Sequence, residues 1–447
     1  MSVFVLLLIV TVFYQFQHPF FFAWWLPLTS KGTQSRVGSR RSEYEPFEDE
    51  KVKEHERICT FWLGRHRFSG SGLWVYLETV LPPLVDRLLA EGYSVRIIGA
   101  GSCELLHLLQ KRLGEAAHRV QLTWLKNPLG NRYLGHLQDV FYLGRFPGIF
   151  HGLSNTKPIF GGGEYNLITL HDLFQAFPPS APRGIFSILK SMWYRGIFYT
   201  LFSGTRLDAV VTDLQHTATE IRERYRAACG LHVLPPPLAA HFREPCTDEK
   251  AQDRTLKFLA FGSADPRKNF PRVATAFKSF DMSAELHVIL ANPRAEPLIC
   301  EQLQTVGVNM KSVFIHVHPD NETLRELYRS VQATIFPSLA EGFGYPIYES
   351  LSQGTPVLTA QNLVSQEFAD RCELLKTCDP RSVLQIESGM RELAEEEVSP
   401  LSRKEVISEV QEALSPEKYV RKLMECYFSV AKNLHLCECP EEARKGS

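Results

Sequence analysis

The sequence predicts an α/β protein built from two doubly wound domains, each on a parallel sheet, facing a central cleft. Three observations carry that prediction. The chain has 447 residues, too many for one ordinary core and suited to two or three domains. Short β-branched runs alternate with amphipathic stretches, and repeated strand–helix–strand units imply parallel sheets covered on both faces. The alternation stops between Pro235 and Asp248 and then restarts, which divides the chain into two series.

The first element stands apart. Met1 to Ser30 contains no Asp, Glu, Lys or Arg, and its apolar runs are Val3 to Tyr14 and Pro19 to Leu28. A spanning helix needs about 20 mostly apolar residues, so the segment is long enough. No basic residue precedes the apolar run and the Phe22-Phe-Ala-Trp-Trp25 stretch is bulky, unlike a cleavage site. The expectation is a retained membrane anchor over 1–30, spanning or lying in the interface, with Trp24 and Trp25 at headgroup level; a signal-like segment is the other reading. Lys31, Arg36, Arg40 and Arg41 follow it, so the positive-inside rule places the rest of the chain in the cytosol. The secretory-pathway lumen is the alternative. The polar stretch 31–55 reads as a linker.

The first series then runs through strands at Arg57–Trp62, Tyr93–Ile98, Val120–Trp124, Asn166–Leu170 and Ala209–Thr212, with a helix from about Leu73 to Glu91. It defines a domain over 56–240. The second has strands at Leu256–Phe261, Glu285–Leu290, Val313–His316, Ala333–Phe336 and Pro356–Thr359, a domain over 241–433, and leaves a polar tail over 434–447. Asn321-Glu-Thr323 is a glycosylation sequon that reads better as the capped start of a helix reaching Ser330.

Composition excludes several classes. Hydrophobic residues at 44% and charged residues at 22% mark globular stock. Lys plus Arg number 49 against 50 Asp plus Glu, so the net charge of -1 gives no footprint for a nucleic-acid partner. The ten cysteines are scattered, as expected of mostly free thiols. Cys437-Glu-Cys439 near His435 is too sparse for a metal site, and none is expected.

In open parallel sheets, ligands bind beyond the carboxyl ends of strands. Ser69-Gly-Ser-Gly72 opens the first helix, and Gly70 and Gly72 permit close backbone approach by an anion or simply a tight turn. Gly99-Ala-Gly101 half-matches a dinucleotide fingerprint but lacks its third glycine. His171 ends an apolar strand, where an imidazole can donate a hydrogen bond or exchange a proton near neutral pH. Arg267 and Lys268 leave a strand at a helix start, a place that suits anions, so a bound diphosphate would rationalise them. A solvated basic pair is the other reading. After Ala333–Phe336 come Glu341, a Gly342-Phe-Gly344 turn and Glu349 eight residues on, about two helical turns. Both carboxylates are expected on one helix face, with Glu349 able to accept from a vicinal diol.

Taken together, Pro337-Ser-Leu-Ala-Glu341-Gly-Phe-Gly-Tyr-Pro-Ile-Tyr-Glu349 with Gly354-Thr-Pro-Val357 resembles the E-x7-E motif of glycosyltransferase family 4. These are retaining nucleotide-sugar transferases of the GT-B fold, which has two Rossmann-like domains. Gly262-Ser-Ala-Asp-Pro-Arg267-Lys268-Asn269 resembles the family's phosphate-binding turn. Thr169-Leu-His171-Asp172-Leu173, with His151-Gly152 and Ser154-Asn155, resembles its mannosyltransferase-like branch. The likeness runs from about Ile58 to Val430, with the motifs in the family's order.

The resemblance implies a retaining hexosyl transfer from a nucleotide-diphosphate sugar to a glycan, lipid-linked or other hydroxyl acceptor. GDP-mannose is the favoured donor, and a UDP-sugar is open. Arg267 and Lys268 would hold the diphosphate, Glu349 the ribose, and Glu341 with the backbone of Gly342, Phe343 and Gly344 the sugar, which His171 reaches from the other domain. Gly262 and Asn269 belong to the same donor-binding turn. No cofactor or metal is implied, because Arg and Lys supply the positive charge. Asp213-Leu214 stands where the family usually carries a small residue and Ser, and Trp74 makes the glycine-rich loop bulkier than usual. The helix Pro416–Lys432 resembles the terminal helix that crosses back onto the first domain. A non-catalytic binding protein and a nucleotide-sugar epimerase or hydrolase of the same fold are the alternatives.

Overall fold

A computed structural model describes residues 33–34, 57–65, 72–125, 139–155, 157–159, 161–179, 184–203, 207–227, 229–244, 255–280, 284–396 and 398–435. The expected anchor, Gly70, the segment beyond 435 and its two cysteines lie outside these residues. No helix among the described residues is long and apolar enough to cross a membrane.

Two sheets carry the chain. The first holds β1 (Thr33–Gln34), β2 (Ile58–Arg65), β3 (Ser94–Ala100), β4 (Gln121–Leu125), β5 (Ile149–Gly152), β6 (Tyr165–Leu170), β7 (Ala209–Thr212) and β8 (Gly230–Val233). Their order is β1-β4-β3-β2-β5-β6-β7-β8. All neighbours are parallel except β1, which pairs antiparallel with β4 and so places two residues of the expected linker at the sheet edge. The second sheet holds β9 (Leu256–Phe261), β10 (Ala284–Leu290), β11 (Val313–Val317), β12 (Ala333–Phe336), β13 (Val357–Ala360) and β14 (Leu375–Cys378). It is wholly parallel, in the order β11-β10-β9-β12-β13-β14. Both sheets reverse their winding part-way, which opens a crevice at the carboxyl ends of the central strands.

Burial follows the pattern predicted for doubly covered strands. All four residues of β7, β12 and β13 are buried. The helix Gly72–Ala90 buries Trp74, Leu77, Leu81, Leu84 and Leu88 against the first sheet. Trp74, a departure in the sequence, is thus a core residue of the first domain. Gly99 is glycine because a side chain there would meet the Trp124 ring, a packing reason that leaves the dinucleotide motif unsupported. Asp320 caps the helix Asn321–Ser330, its carboxylate accepting from the Thr323 amide at 2.8 Å.

The helix Pro416–His435 belongs to the first domain's core although it ends the second series. Tyr419, Val420, Leu423, Met424, Tyr427 and Val430 recur at helical spacing and join the cluster containing Cys59, Phe61 and Trp74. The two domains are therefore stapled by a buried helix face. The seven described cysteines are free thiols.

Candidate active site

The cleft is built by one device used twice: loops that leave adjacent parallel strands. In the first sheet, β6 and β7 pair so that Leu170 lies opposite Thr212. The next residue of each strand, His171 and Asp213, therefore falls beside its counterpart. The Asp213 carboxylate accepts from His171 Nδ1 at 2.9 Å. Burial alone would push the imidazole down, but the Asp213 charge and hydrogen bond outweigh it. Asp172 and the Leu153 carbonyl add to that pull, and the result lies above the ordinary histidine value.

The rest of the ring's surroundings is equally fixed. Tyr76 meets His171 edge-on, with ring centroids 4.6 Å apart. The His171 backbone amide donates to Asn155 Oδ1 at 2.7 Å. His171 Nε2 is buried and makes no well-formed hydrogen bond. Beneath the ring, Tyr76 is hydrogen-bonded to Tyr419 at 2.8 Å and lies 3.5 Å from Thr169 Oγ1. Thr169 is bonded to His151 Nε2 at 3.0 Å, and His151 Nδ1 to the Tyr427 hydroxyl at 2.6 Å. This buried chain ties the terminal helix to β5 and β6. Burial, with the nearby His171 charge, pushes His151 down to about 3, so it is a neutral structural group.

In the second sheet, β9 and β12 are neighbours, and the loops that leave them hold the cations and carboxylates. Lys268 Nζ donates to Glu341 Oε1 at 2.8 Å. Arg267 donates through Nε and Nη2 to Asp265 Oδ2 at 3.0 and 2.7 Å, and its guanidinium lies 4.7 Å from the Phe174 ring of the opposite domain. The two cations are therefore each partnered within the fold, and Asp265 and Glu341 offset the charge that the sequence left unexplained. Tyr328 donates to Glu349 Oε2 at 2.7 Å. Burial pushes the Glu349 carboxyl up to about 7, against the opposing pull of Tyr328 and Lys268.

Several expectations need correction. Glu341 lies in the turn before the helix Tyr345–Ser352, so it does not share a helix face with Glu349. Asn269 is buried at φ 59° and fully committed: its Nδ2 donates to the Pro337 and Pro380 carbonyls and its Oδ1 accepts from Arg272. It braces the basic turn against the glutamate turn instead of facing a donor. The Phe343 side chain is buried and stacks on Tyr348 at 4.5 Å, so only its backbone is left for the expected role. Gly262 is glycine because Leu290 and Val288 would meet a side chain there. Gly342 is required by the cleft itself, since a Cβ would lie 2.9 Å from the His171 carbonyl. Gly344 takes φ 88° to start its helix. Gly72 faces Tyr345 of the other domain.

Sequence reasoning missed Asp213 as a partner, treating it as a departure, and passed over Ser338 and Tyr345. The Ser338 Oγ and Tyr345 hydroxyl are buried without hydrogen-bond partners, as is His171 Nε2. Strand register was the missing signal.

With this geometry in place, comparison with known proteins narrows the class. Residues 247–410 match the family model described as Glycosyl transferases group 1. The matched residues lie in the second domain. The chain is 29% identical over 110 residues to the O-antigen chain mannosyltransferase RfbU of Salmonella typhimurium, covering 25% of this chain and 31% of that protein. It is 31% identical over 103 residues to O-antigen chain mannosyltransferase B of Escherichia coli, covering 22% and 27%. The matched stretch thus spans under a third of these curated relatives. Among solved structures, WaaG, a glycosyltransferase involved in lipopolysaccharide biosynthesis, superposes with a TM-score of 0.59 at 15% identity, covering 81% of this chain and 98% of that one. Anabaena Alr3699/HepE in complex with UDP does so at 0.56 and 12%, covering 83% and 100%. The fold is GT-B.

Proposed function

We propose that this protein is a retaining glycosyltransferase of family 4 that moves a hexose, with mannose as the leading sugar, from a nucleotide diphosphate to a hydroxyl acceptor. The observation that carries the reading is that the loops of Arg267, Lys268 and Glu341 meet the His171 loop across one cleft, through Arg267 on Phe174 and Gly342 on the His171 carbonyl. The relatives named above as mannosyltransferases support mannose as the sugar, which with the resemblance makes GDP-mannose the leading donor, and the HepE neighbour, solved with UDP, keeps a UDP-sugar as the second candidate.

In this reading the donor's diphosphate displaces the internal partners of the basic pair. Lys268 and Arg267 turn from Glu341 and Asp265 toward the phosphate oxygens, so Glu341 is released to bind sugar hydroxyls. Glu349, ionised, accepts from the ribose diol. As the anomeric carbon–oxygen bond breaks, its electron pair stays on the diphosphate, whose charge the two cations stabilise. The acceptor oxygen bonds to the anomeric carbon on the same face, and its proton passes to the departing diphosphate. His171 Nε2 meets a hydroxyl of the sugar. The uncharged residues 1–30 would hold the domains at the cytosolic face of a membrane, near lipid-linked acceptors.

Release of free nucleotide from a panel of nucleotide sugars, with and without acceptors, tests this. Acceptor-dependent release is expected with GDP-mannose. Release without any acceptor favours a hydrolase, and none from any donor rejects the enzyme.

A further inference from the structure

We propose that Asp213 is a positioning residue for sugar transfer: it holds the Nδ1 proton of His171 so that Nε2, as an N–H donor, faces the donor sugar. The proposal rests on the transferase reading of the cleft and adds a residue to it.

Three observations carry it. The register of β6 and β7 delivers Asp213 to the back of the imidazole, with carboxylate oxygens 2.9 and 3.1 Å from Nδ1. The Asp213 side chain is 3% exposed and that of His171 13%, so water competes weakly for the contact. Tyr76 packs against the ring, the Leu153 carbonyl lies beside it and Asn155 fixes the backbone, so His171 has little freedom except at Nε2, which makes no well-formed hydrogen bond in the protein. Gly342 of the sugar-side turn lies against the same loop. A buried donor without a partner is costly unless a ligand supplies one.

The chemistry follows from charge. With Asp213 behind it, the imidazole keeps its second proton and offers a charge-assisted hydrogen bond to a sugar hydroxyl. The same carboxylate offsets the imidazolium, which would otherwise repel the positive charge that develops on the anomeric carbon. The other titratable groups against the ring are Asp172 on its own loop, Tyr76 on the first helix and His151 on β5. Burial pushes Tyr76 up and holds His151 down to about 3, so neither changes charge near neutrality.

The test uses the full chain and nucleotide sugar turnover in Asp213→Asn, His171→Gln and the double variant. Asp213→Asn is expected to lower kcat by about 10- to 100-fold, the weight of a hydrogen bond to a charged group, while donor KM stays within roughly threefold. Activity of the parent should fall as pH rises through the His171 titration, and in Asp213→Asn that fall should move to lower pH. In the His171→Gln background, Asp213→Asn should cost nothing further. Equal losses in both backgrounds, or an unmoved pH profile, overturn the proposal. Should Asp213→Asn fail to fold, ¹⁵N spectra of His171 in the parent decide: an Nδ1 without a proton at neutral pH overturns it. A parent inactive on every nucleotide sugar removes the transferase reading and this proposal together. An active parent that tolerates Asp213→Asn removes the proposal alone.

Discussion

The two faces of the cleft are made the same way and differ in what they store. On the second domain, the loops after β9 and β12 carry two cations and two carboxylates that pair with one another. In the proposed function that face holds its charges in reserve, since a donor's diphosphate would exchange for the internal partners. On the first domain, the loops after β6 and β7 carry one dyad, His171 with Asp213, seated on a buried chain of Tyr76, Thr169, His151 and the terminal helix's Tyr419 and Tyr427. That face is largely buried. Under the proposed function the difference is a division of labour: one face would be rearranged by charge, and the other is held by burial.

The comparison can be broken most directly on the charged face. Lys268→Ala is expected to weaken nucleoside diphosphate binding by about 100-fold, or about 3 kcal/mol, without loss of fold, because the contact is charge-assisted. Titration calorimetry reads it, and unchanged affinity removes the diphosphate assignment. Glu349→Gln should weaken the same ligand by about tenfold, the weight of one or two hydrogen bonds. It should also remove a pH dependence. The folded Glu349 value of about 7 lies above the ordinary 4.5, so its contribution to stability is present below the ordinary value and lost as pH rises through about 7. Binding should strengthen over the same rise as the carboxylate ionises. In Glu349→Gln both trends should flatten, and a parent whose melting and affinity ignore pH in this window refutes the burial argument.

On the buried face, Tyr427→Phe strands the His151 nitrogen and should cost about 1–3 kcal/mol in denaturant unfolding. A neutral result would mean that the polar chain does not fasten the terminal helix. The smallest effect should come from Phe174→Ala, which removes the ring against Arg267 across the cleft. A loss of about 0.5–1 kcal/mol is expected for such a contact, read as a weaker donor KM with kcat retained. An unchanged KM would show that Phe174 has no part in joining the faces.

The two faces also differed in legibility. The donor side was readable because its residues are close in sequence: Arg267 and Lys268 are adjacent, and Glu341 to Glu349 is one segment. Their expected chemistry was read from the string alone, although the pairing of Lys268 with Glu341 was not. The dyad side was opaque. His171 and Asp213 are 42 residues apart, and Tyr76 and Tyr419 are 343 apart. No local pattern links them. Asn269 shows a related limit, because a motif marks where a turn is but not which of its side chains point inward.

By itself, the sequence determined the fold class, the two series of strands, the basic turn and the glutamate turn. Periodicity and turn chemistry are local, and a strand's carboxyl end predicts where a ligand can sit. Only the tertiary structure decided which charges meet. Strand order and register are set by the packing of all the elements at once, and they alone bring the residue after β6 beside the residue after β7. The same packing returned the last helix to the first domain, which placed a tyrosine from the end of the chain beneath the histidine of its middle.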